Sequence, residues 1–233
     1  MRNLLVVLVL ACFLTPLFAA DEEAKGADNT KASSRVEAAG TVLDEIQGAP
    51  DQRIPEEILG SAECVAVVPS LLNGGFVFGG RYGRGVASCR TDKGWSAPAF
   101  FMIGGGSFGL QIGGQATDVV MLIMNKNGME HLLSSKFKLG GDASAAAGPV
   151  GRHAAADTDW KMRAQVLTYS RSRGLFAGLE LNGAVIKQDK DSTRDFYGRM
   201  VPFKTSLKGE VEAPKAAYPF LSTLAKWAQQ ASK

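Results

Sequence analysis

The sequence predicts an α+β fold: a Gly-rich antiparallel β core with an N-terminal amphipathic helix, short intervening helices and a C-terminal helix. Three observations carry this reading. Between residues 74 and 118 Gly recurs every few positions among aromatic and aliphatic residues, as GGFVFGGRYGRGVASCR and then GWSAPAFFMIGGGSFGLQIGGQATD. Gly alone reaches positive φ without a Cβ clash and lets two backbones approach closely, so the spacing suits short strands joined by tight turns. Val36, Ala39, Leu43 and Ile46 fall at helical spacing before that region, and Leu221, Leu224, Ala225 and Trp227 after it.

At the N-terminus, Met1, Arg2 and Asn3 precede a nearly unbroken apolar run over 4–14, then Pro16, small residues and the acidic Asp21-Glu22-Glu23. This is the layout of a secretory signal peptide over 1–20, with an apolar run too short to span a bilayer comfortably. Lipidation at Cys12 fits less well, because Leu10 and Ala11 only loosely match the residues expected before a lipidated Cys. Residues 21–32 are small and polar without apolar periodicity and read as a flexible leader. A single domain then occupies 33–233. Its first helix runs from Ser33 to Gln47, ended by Gly48 and Pro50, and a short second helix starts at Pro55 and passes through Ile58 and Leu59.

From Cys64 strands dominate. Segments 64–68 and 119–124 are apolar at successive positions, which in short β-rich runs means burial on both faces and a central place in the sheet. Segments 76–78, 86–90, 99–103 and 108–112 follow with Gly between them. Residues 125–128 read as a turn and 129–133 as a short helix. Segment 140–151, rich in Ala, Ser and Gly, reads equally as a close-packed strand or a loop. Strands resume over 165–170, 175–181 and 184–187, and the last helix covers 219–231.

With 45% hydrophobic and 21% charged residues the chain has the composition of an ordinary globular protein. Removal of 1–20 takes away Arg2 and no acid, lowering the formal charge from +3 to +2 (3 − 1 = 2), so no nucleic-acid partner is implied. Cys64 and Cys89, each in an expected strand and separated by one Gly-rich hairpin, have two readings: a disulfide in an exported protein, or a pair of buried thiols. Gly104-Gly105-Gly106-Ser107-Phe108-Gly109 matches G-x-G-x-x-G, but the glycines lead into a strand rather than a helix, so they read as a structural turn and not as a dinucleotide site. His131 and His153 are the only histidines, and neither has metal-site or nucleophile-base spacing. Asp118, Asp142 and Asp157 form an acid-base pair only if the fold brings them together. No cofactor and no metal are expected, and an enzyme acting on a small apolar ligand is the weakest reading. Arg81 and Arg84 flank Tyr82 in a Gly-rich turn, and Lys136 and Lys138 surround Phe137. Basic side chains beside an aromatic on a loop can hold a lipid phosphate while the ring sits at headgroup level; solvated turn charges account for the same residues.

Read in order, IPEEIL at 54–59, CVAVVPS at 64–70, GGFVFGGRYGRGV at 74–86, WSAPAFF at 95–101, GLQIGGQATDVVML at 109–122, LGGDASAAAGPVGR at 139–152 and YSRSRGLFAGLELNGAVI at 169–186 resemble the SYLF domain. That module binds lipids and is also described as the actin-binding domain of a yeast cortical-patch protein family. The resemblance spans about residues 33–203 and implies a non-enzymatic domain that binds membrane phospholipid, phosphoinositide or another anionic headgroup. In eukaryotic relatives an amphipathic helix ahead of the β body contributes to membrane contact. The helix from Ser33 occupies that place, with Lys31 and Arg35 offset by Glu37, Asp44 and Glu45. The expectation is a bacterial, exported, stand-alone member, periplasmic or secreted and peripherally membrane-associated. Arg81, Arg84, Lys136 and Lys138 would contact phosphate, with Tyr82 or Phe137 at the interface. The alternative is an envelope structural or protein-interaction domain. Actin is not carried over as a partner, since an exported protein would not meet the cytosolic actin of its own cell.

Overall fold

The computed structural model describes residues 19–49, 53–75, 78–108, 113–150, 164–172 and 175–230. Most of the expected signal peptide with Cys12, and also His153 and Asp157, lie outside them. Helices α1 (Ala19–Gln47) and α2 (Glu56–Ser61) precede strands β1 (Cys64–Gly75), β2 (Phe78–Thr91), β3 (Gly94–Trp95), β4 (Ala99–Phe108) and β5 (Gly113–Ile123). Helix α3 (Lys126–Leu133) leads to β6 (Lys136–Lys138), β7 (Ala145–Ala147), β8 (Val166–Ser172), β9 (Leu175–Gly178) and β10 (Val185–Gln188). The chain ends in α4 (Lys190–Tyr197), α5 (Phe203–Leu207), a short 3₁₀ turn and α6 (Tyr218–Gln230).

The strands form one mostly antiparallel sheet in the order β6-β10-β4-β2-β1-β5-β8-β7, with β3 added to β2 and β9 to β8; only β7 pairs in parallel, with β8. β1 lies between β2 and β5, and its two faces feed two cores. Val65 and Val67 join Val86, Phe100, Val120 and Leu122 under α1, α2, α4 and α6. Cys64, Ala66 and Val68 join Phe101, Ile103, Val119, Met121 and the α5 residues Phe203 and Leu207 on the other side. The apolar runs expected to be buried on both faces are so because helices cover one side and α3, α5 and β6 the other. Each fully buried Leu, Ile, Val or Phe contributes roughly 1.5–3 kcal/mol.

Helix α1 begins at Ala19 rather than at Ser33, taking in the segment expected as a flexible leader. Residues 19–31 lack an apolar stripe, so periodicity does not report them, yet Ala, Glu and Lys are strong helix formers and no Pro interrupts them. Farther along, Val36, Ala39, Leu43 and Ile46 are fully buried against the sheet, α4 and α6. Gly40 allows the close approach of α6, since a Cβ there would stand 3.0 Å from the Pro219 carbonyl oxygen.

Two expected turns are strands. Residues 79–85, with Arg81, Tyr82 and Arg84, run inside β2, and Gly104 to Gly106 run inside β4. β2 pairs with β4 along this stretch and with β1 on either side of the β1 bulge, and its Gly83 and Gly85 serve packing rather than turning. A Cβ at Gly85 would lie 2.5 Å from both the Val67 carbonyl oxygen and the Phe101 ring. The segment left open at 140–151 supplies β7 and then Gly148, where the backbone rests so closely on the Tyr169 ring that no Cβ fits. Cys64 and Cys89 face each other across β1 and β2 and are joined by a disulfide buried in the second core. No helix among the described residues is long and apolar enough to cross a membrane.

Asp44 of α1 accepts hydrogen bonds from Lys226 Nζ at 2.7 Å and Trp227 Nε1 at 2.9 Å, tying α6 to α1. These bonds, the Lys226 one foremost, hold its carboxyl below the ordinary value. A folded-state pKa that is depressed adds stability above the unfolded pKa, and that stability disappears as pH falls through the folded value. The side chains are half-exposed, so the gain is small, about 0.5–1 kcal/mol. Asp44→Asn should therefore be less stable than the parent by about that amount at neutral pH, with the gap closing below about pH 4 in urea titrations. Gly85→Ala should cost about 2–3 kcal/mol. Gly80→Ala, whose Cβ would meet nothing closer than 4.0 Å, should stay within about 0.5 kcal/mol of the parent in the same measurement.

Candidate functional site

Side chains alternate across a strand, and directly paired residues in neighbouring antiparallel strands share a face. β2 therefore separates the two arginines that flank Tyr82. Tyr82 and Arg84 share the helix-bearing face with Val86, whereas Arg81 points to the other side. There Arg81 Nη1 donates to the Glu180 carbonyl at 3.3 Å, and its Nε is buried without an acceptor among the described residues. This desolvation pushes the Arg81 pKa down.

β6 makes a similar division. Phe137 pairs with Ile186 and lies in the second core, only 4% exposed, so it is not an interfacial ring. Lys136 and Lys138 are exposed on the opposite face, the same one as Tyr82. The register assembles two rows across four strands. One runs Arg84, Met102, Lys187, Lys136; the other runs Tyr82, Gly104, Val185, Lys138. At about 4.8 Å per strand, Arg84 and Lys136 are about 14 Å apart along the row. Lys187 and Lys136 are directly opposed like charges, an arrangement that costs stability. Neither has an ion-pair partner among the described residues, and Lys187 was invisible to motif reading because only the register places it between Met102 and Lys136.

Arg84 is held from behind. Its Nε donates to Tyr82 Oη at 3.0 Å and lies 3.6 Å from Asp189 Oδ2. The Tyr82 bond, helped by Asp189, moves the Arg84 pKa up. Asp189 is 1% exposed, caps α4 by accepting from the Ser192 amide at 3.2 Å, and also accepts from Ser192 Oγ at 2.8 Å. Arg35 of α1 donates to Ser192 Oγ at 2.8 Å and lies 3.9 Å from the same carboxylate. One buried anion thus serves two cations from α1 and β2 and fixes both elements to α4.

The carboxylates considered for catalysis have structural duties. Asp118 accepts from the Ser70 amide at 3.0 Å, holding the β1 bulge where Ser70 takes φ 60°, and pairs with Arg171 at 2.9 Å. Asp142 accepts from the Lys138 amide at 2.8 Å. His131 sits in α3 with its ring 6.5 Å from that of Phe137. No group of three His, Cys, Asp or Glu residues positioned for a metal occurs among the described residues.

A family model described as Ysc84, Las17-binding protein actin regulator, matches residues 104–227, from within β4 into α6. The chain belongs to the Ysc84 family. An SH3 domain-containing protein of Schizosaccharomyces pombe, PJ696.02, is 38% identical over 175 residues, covering 73% of this chain and 40% of that protein. LAS seventeen-binding protein 3 of Saccharomyces cerevisiae is 34% identical over 199 residues, covering 84% of this chain and 43% of that protein. SH3 domain-containing YSC84-like protein 1 of Mus musculus is 33% identical over 173 residues, covering 73% and 51%. The chain thus spans about half or less of the length of these relatives. The Ysc84 description names Las17 binding and actin regulation, and the yeast relative carries the same Las17-binding name; these words lend no support to setting actin aside.

Asp189→Asn keeps a capping acceptor for α4 but removes the charge shared by Arg35 and Arg84. It should cost about 2–3 kcal/mol by chemical denaturation, less than a fully buried pair because both arginines retain some solvent.

Proposed function

We propose that this Ysc84-family protein is an exported, peripheral lipid-binding module that docks reversibly on anionic phospholipid. The observation that carries the proposal is the set of Arg84, Lys136, Lys138 and Tyr82 on one exposed face of the sheet, with Lys187 completing the basic row. Lipid phosphate accepts hydrogen bonds from such cations, and each Lys or Arg near an acidic membrane surface adds about 1 kcal/mol of attraction. The apolar side of α1 over 36–46 is committed to the core, which favours the sheet face over this part of the helix as the membrane contact. The secretory layout of residues 1–20 and the Cys64–Cys89 disulfide support export, since disulfides persist in oxidising compartments.

A second reading, a protein-interaction domain, draws on the Las17-binding and actin-regulator names of the family. Its natural surface is the same exposed row. Partner capture that persists in detergent and needs no lipid would favour it.

Co-sedimentation with vesicles of phosphatidylcholine alone, or with added phosphatidylglycerol or phosphoinositide, at low and physiological salt, separates the two. Docking predicts binding that needs anionic lipid and falls with salt. Lys136→Glu with Lys138→Glu should weaken it at least about tenfold, while Arg81→Glu, on the other face, should weaken it far less. Equal loss from both variants, or no lipid binding by the parent, would defeat the proposal.

A further inference from the structure

On the helix-bearing face, properties change in steps along the strands. The first step out from the core is the row of Arg84, Met102, Lys187 and Lys136. One face-repeat farther toward the ends where β1 and β2 pair last, about 7 Å on, come Ala116, Leu72, Tyr82, Gly104, Val185 and Lys138 in register. This row ends at the β6 edge in a lysine whose long stem can carry its charge back to the phosphate level. Leu72 is 56% and Tyr82 47% exposed, large for apolar side chains on a sheet. Another repeat outward, Gly114, Gly74, Gly80 and Gly106 pair side by side across β5, β1, β2 and β4. A Cβ on Gly74 or Gly106 would meet nothing within 4 Å, so these two glycines are not dictated by packing on this face. Leu72, Tyr82, Gly74 and Gly80 line an open hollow of about 510 Å³.

We propose that the protein meets an anionic phospholipid bilayer with these strand ends foremost, Lys187, Lys136 and Arg84 at the phosphate layer, and Leu72, Tyr82 and the glycine row below it. The inference rests on the lipid-docking reading above and adds the orientation, the depth and Lys187 as a headgroup contact. A membrane interface has the same sequence of layers: charged phosphates outermost, then a zone where amphipathic groups bury apolar surface to a depth of about 5–10 Å. Tyr82 suits that boundary, with its ring toward the apolar side and its hydroxyl bonded to Arg84. The glycine row leaves its stretch of the face free of side chains, and paired strands leave few backbone groups unsatisfied there. Charge complementarity selects the occupant. Arg84 is shared with Asp189 and has Asp191 nearby, but the opposed Lys187 and Lys136 have no such neutralisation among the described residues, and an acidic surface relieves their repulsion.

The test uses the full chain and vesicles of phosphatidylcholine and phosphatidylglycerol, with a fraction of the phosphatidylcholine brominated on its acyl chains. Leu72→Trp is compared with Lys93→Trp, at the exposed turn after the opposite end of β2, both read against the native tryptophans of the parent. The expected result is a blue shift and bromine quenching for Leu72→Trp beyond the parent signal, none for Lys93→Trp, and about fivefold weaker binding for Lys187→Gln. Binding with equal quenching at both positions, or with quenching only at Lys93→Trp, overturns the orientation while the docking function stands. Binding that Lys187→Gln leaves unchanged overturns the headgroup role of that residue. Absence of binding by the parent removes the docking function and the orientation with it.

Discussion

Covering both faces of β1 and β5 is the requirement from which most of the architecture follows. A strand whose every side chain is apolar has no polar face to give to water, so one layer of helices is not enough. Helices α1, α2, α4 and α6 cover one side, and α3, α5 and the β6 edge close the other. The demand also sets where glycine is used. Gly85 lets the Phe101 ring and the Val67 backbone meet across the sheet, and Gly148 lets a backbone lie on Tyr169. The Cys64–Cys89 disulfide lies at the end of this doubly buried region where β1 begins, and joins β1 to β2.

The same sheet continues beyond its covers. Once past Val86 and Phe100, the helix-bearing face has no helix among the described residues left to bury it, and its character changes within one residue pair from apolar to basic. Asp189 sits at that boundary. It neutralises Arg35 and part of Arg84 where the core ends, and farther along the row the lysines have no comparable partner among the described residues. The half of the sheet that holds the fold together and the half available to a partner are thus two stretches of the same strands, divided by one buried carboxylate.

Membership of the Ysc84 family places this unit inside longer relatives whose names include an SH3 domain. In those proteins the matched region is about half of the chain or less. Within this chain the described residues form a sheet with an exposed, cation-bearing face, and that description depends on register rather than on any single motif.

Several parts of this were legible from sequence for identifiable reasons. Continuous apolar runs at 64–68 and 119–124 announce central strands, because alternation disappears only when both faces are buried. The helical stripe of Val36, Ala39, Leu43 and Ile46 announces α1, although a polar, Ala- and Glu-rich start extends the helix without any stripe to reveal it. The Gly clusters were legible as β structure but not as strand interiors, since a glycine required by a neighbour's close approach looks the same in sequence as one required by a turn. Tertiary structure alone decided which charges share a face. Arg81 and Arg84 look equivalent around Tyr82, yet a two-residue period sends them to opposite sides. Phe137 looks like an exposed ring between lysines, yet the same period buries it and leaves the lysines out. Lys187 joins them only because β10 pairs between β4 and β6. Local pattern determines which segments become strands; the register between segments distant in sequence, set by burying both cores at once, determines what those strands present to a partner.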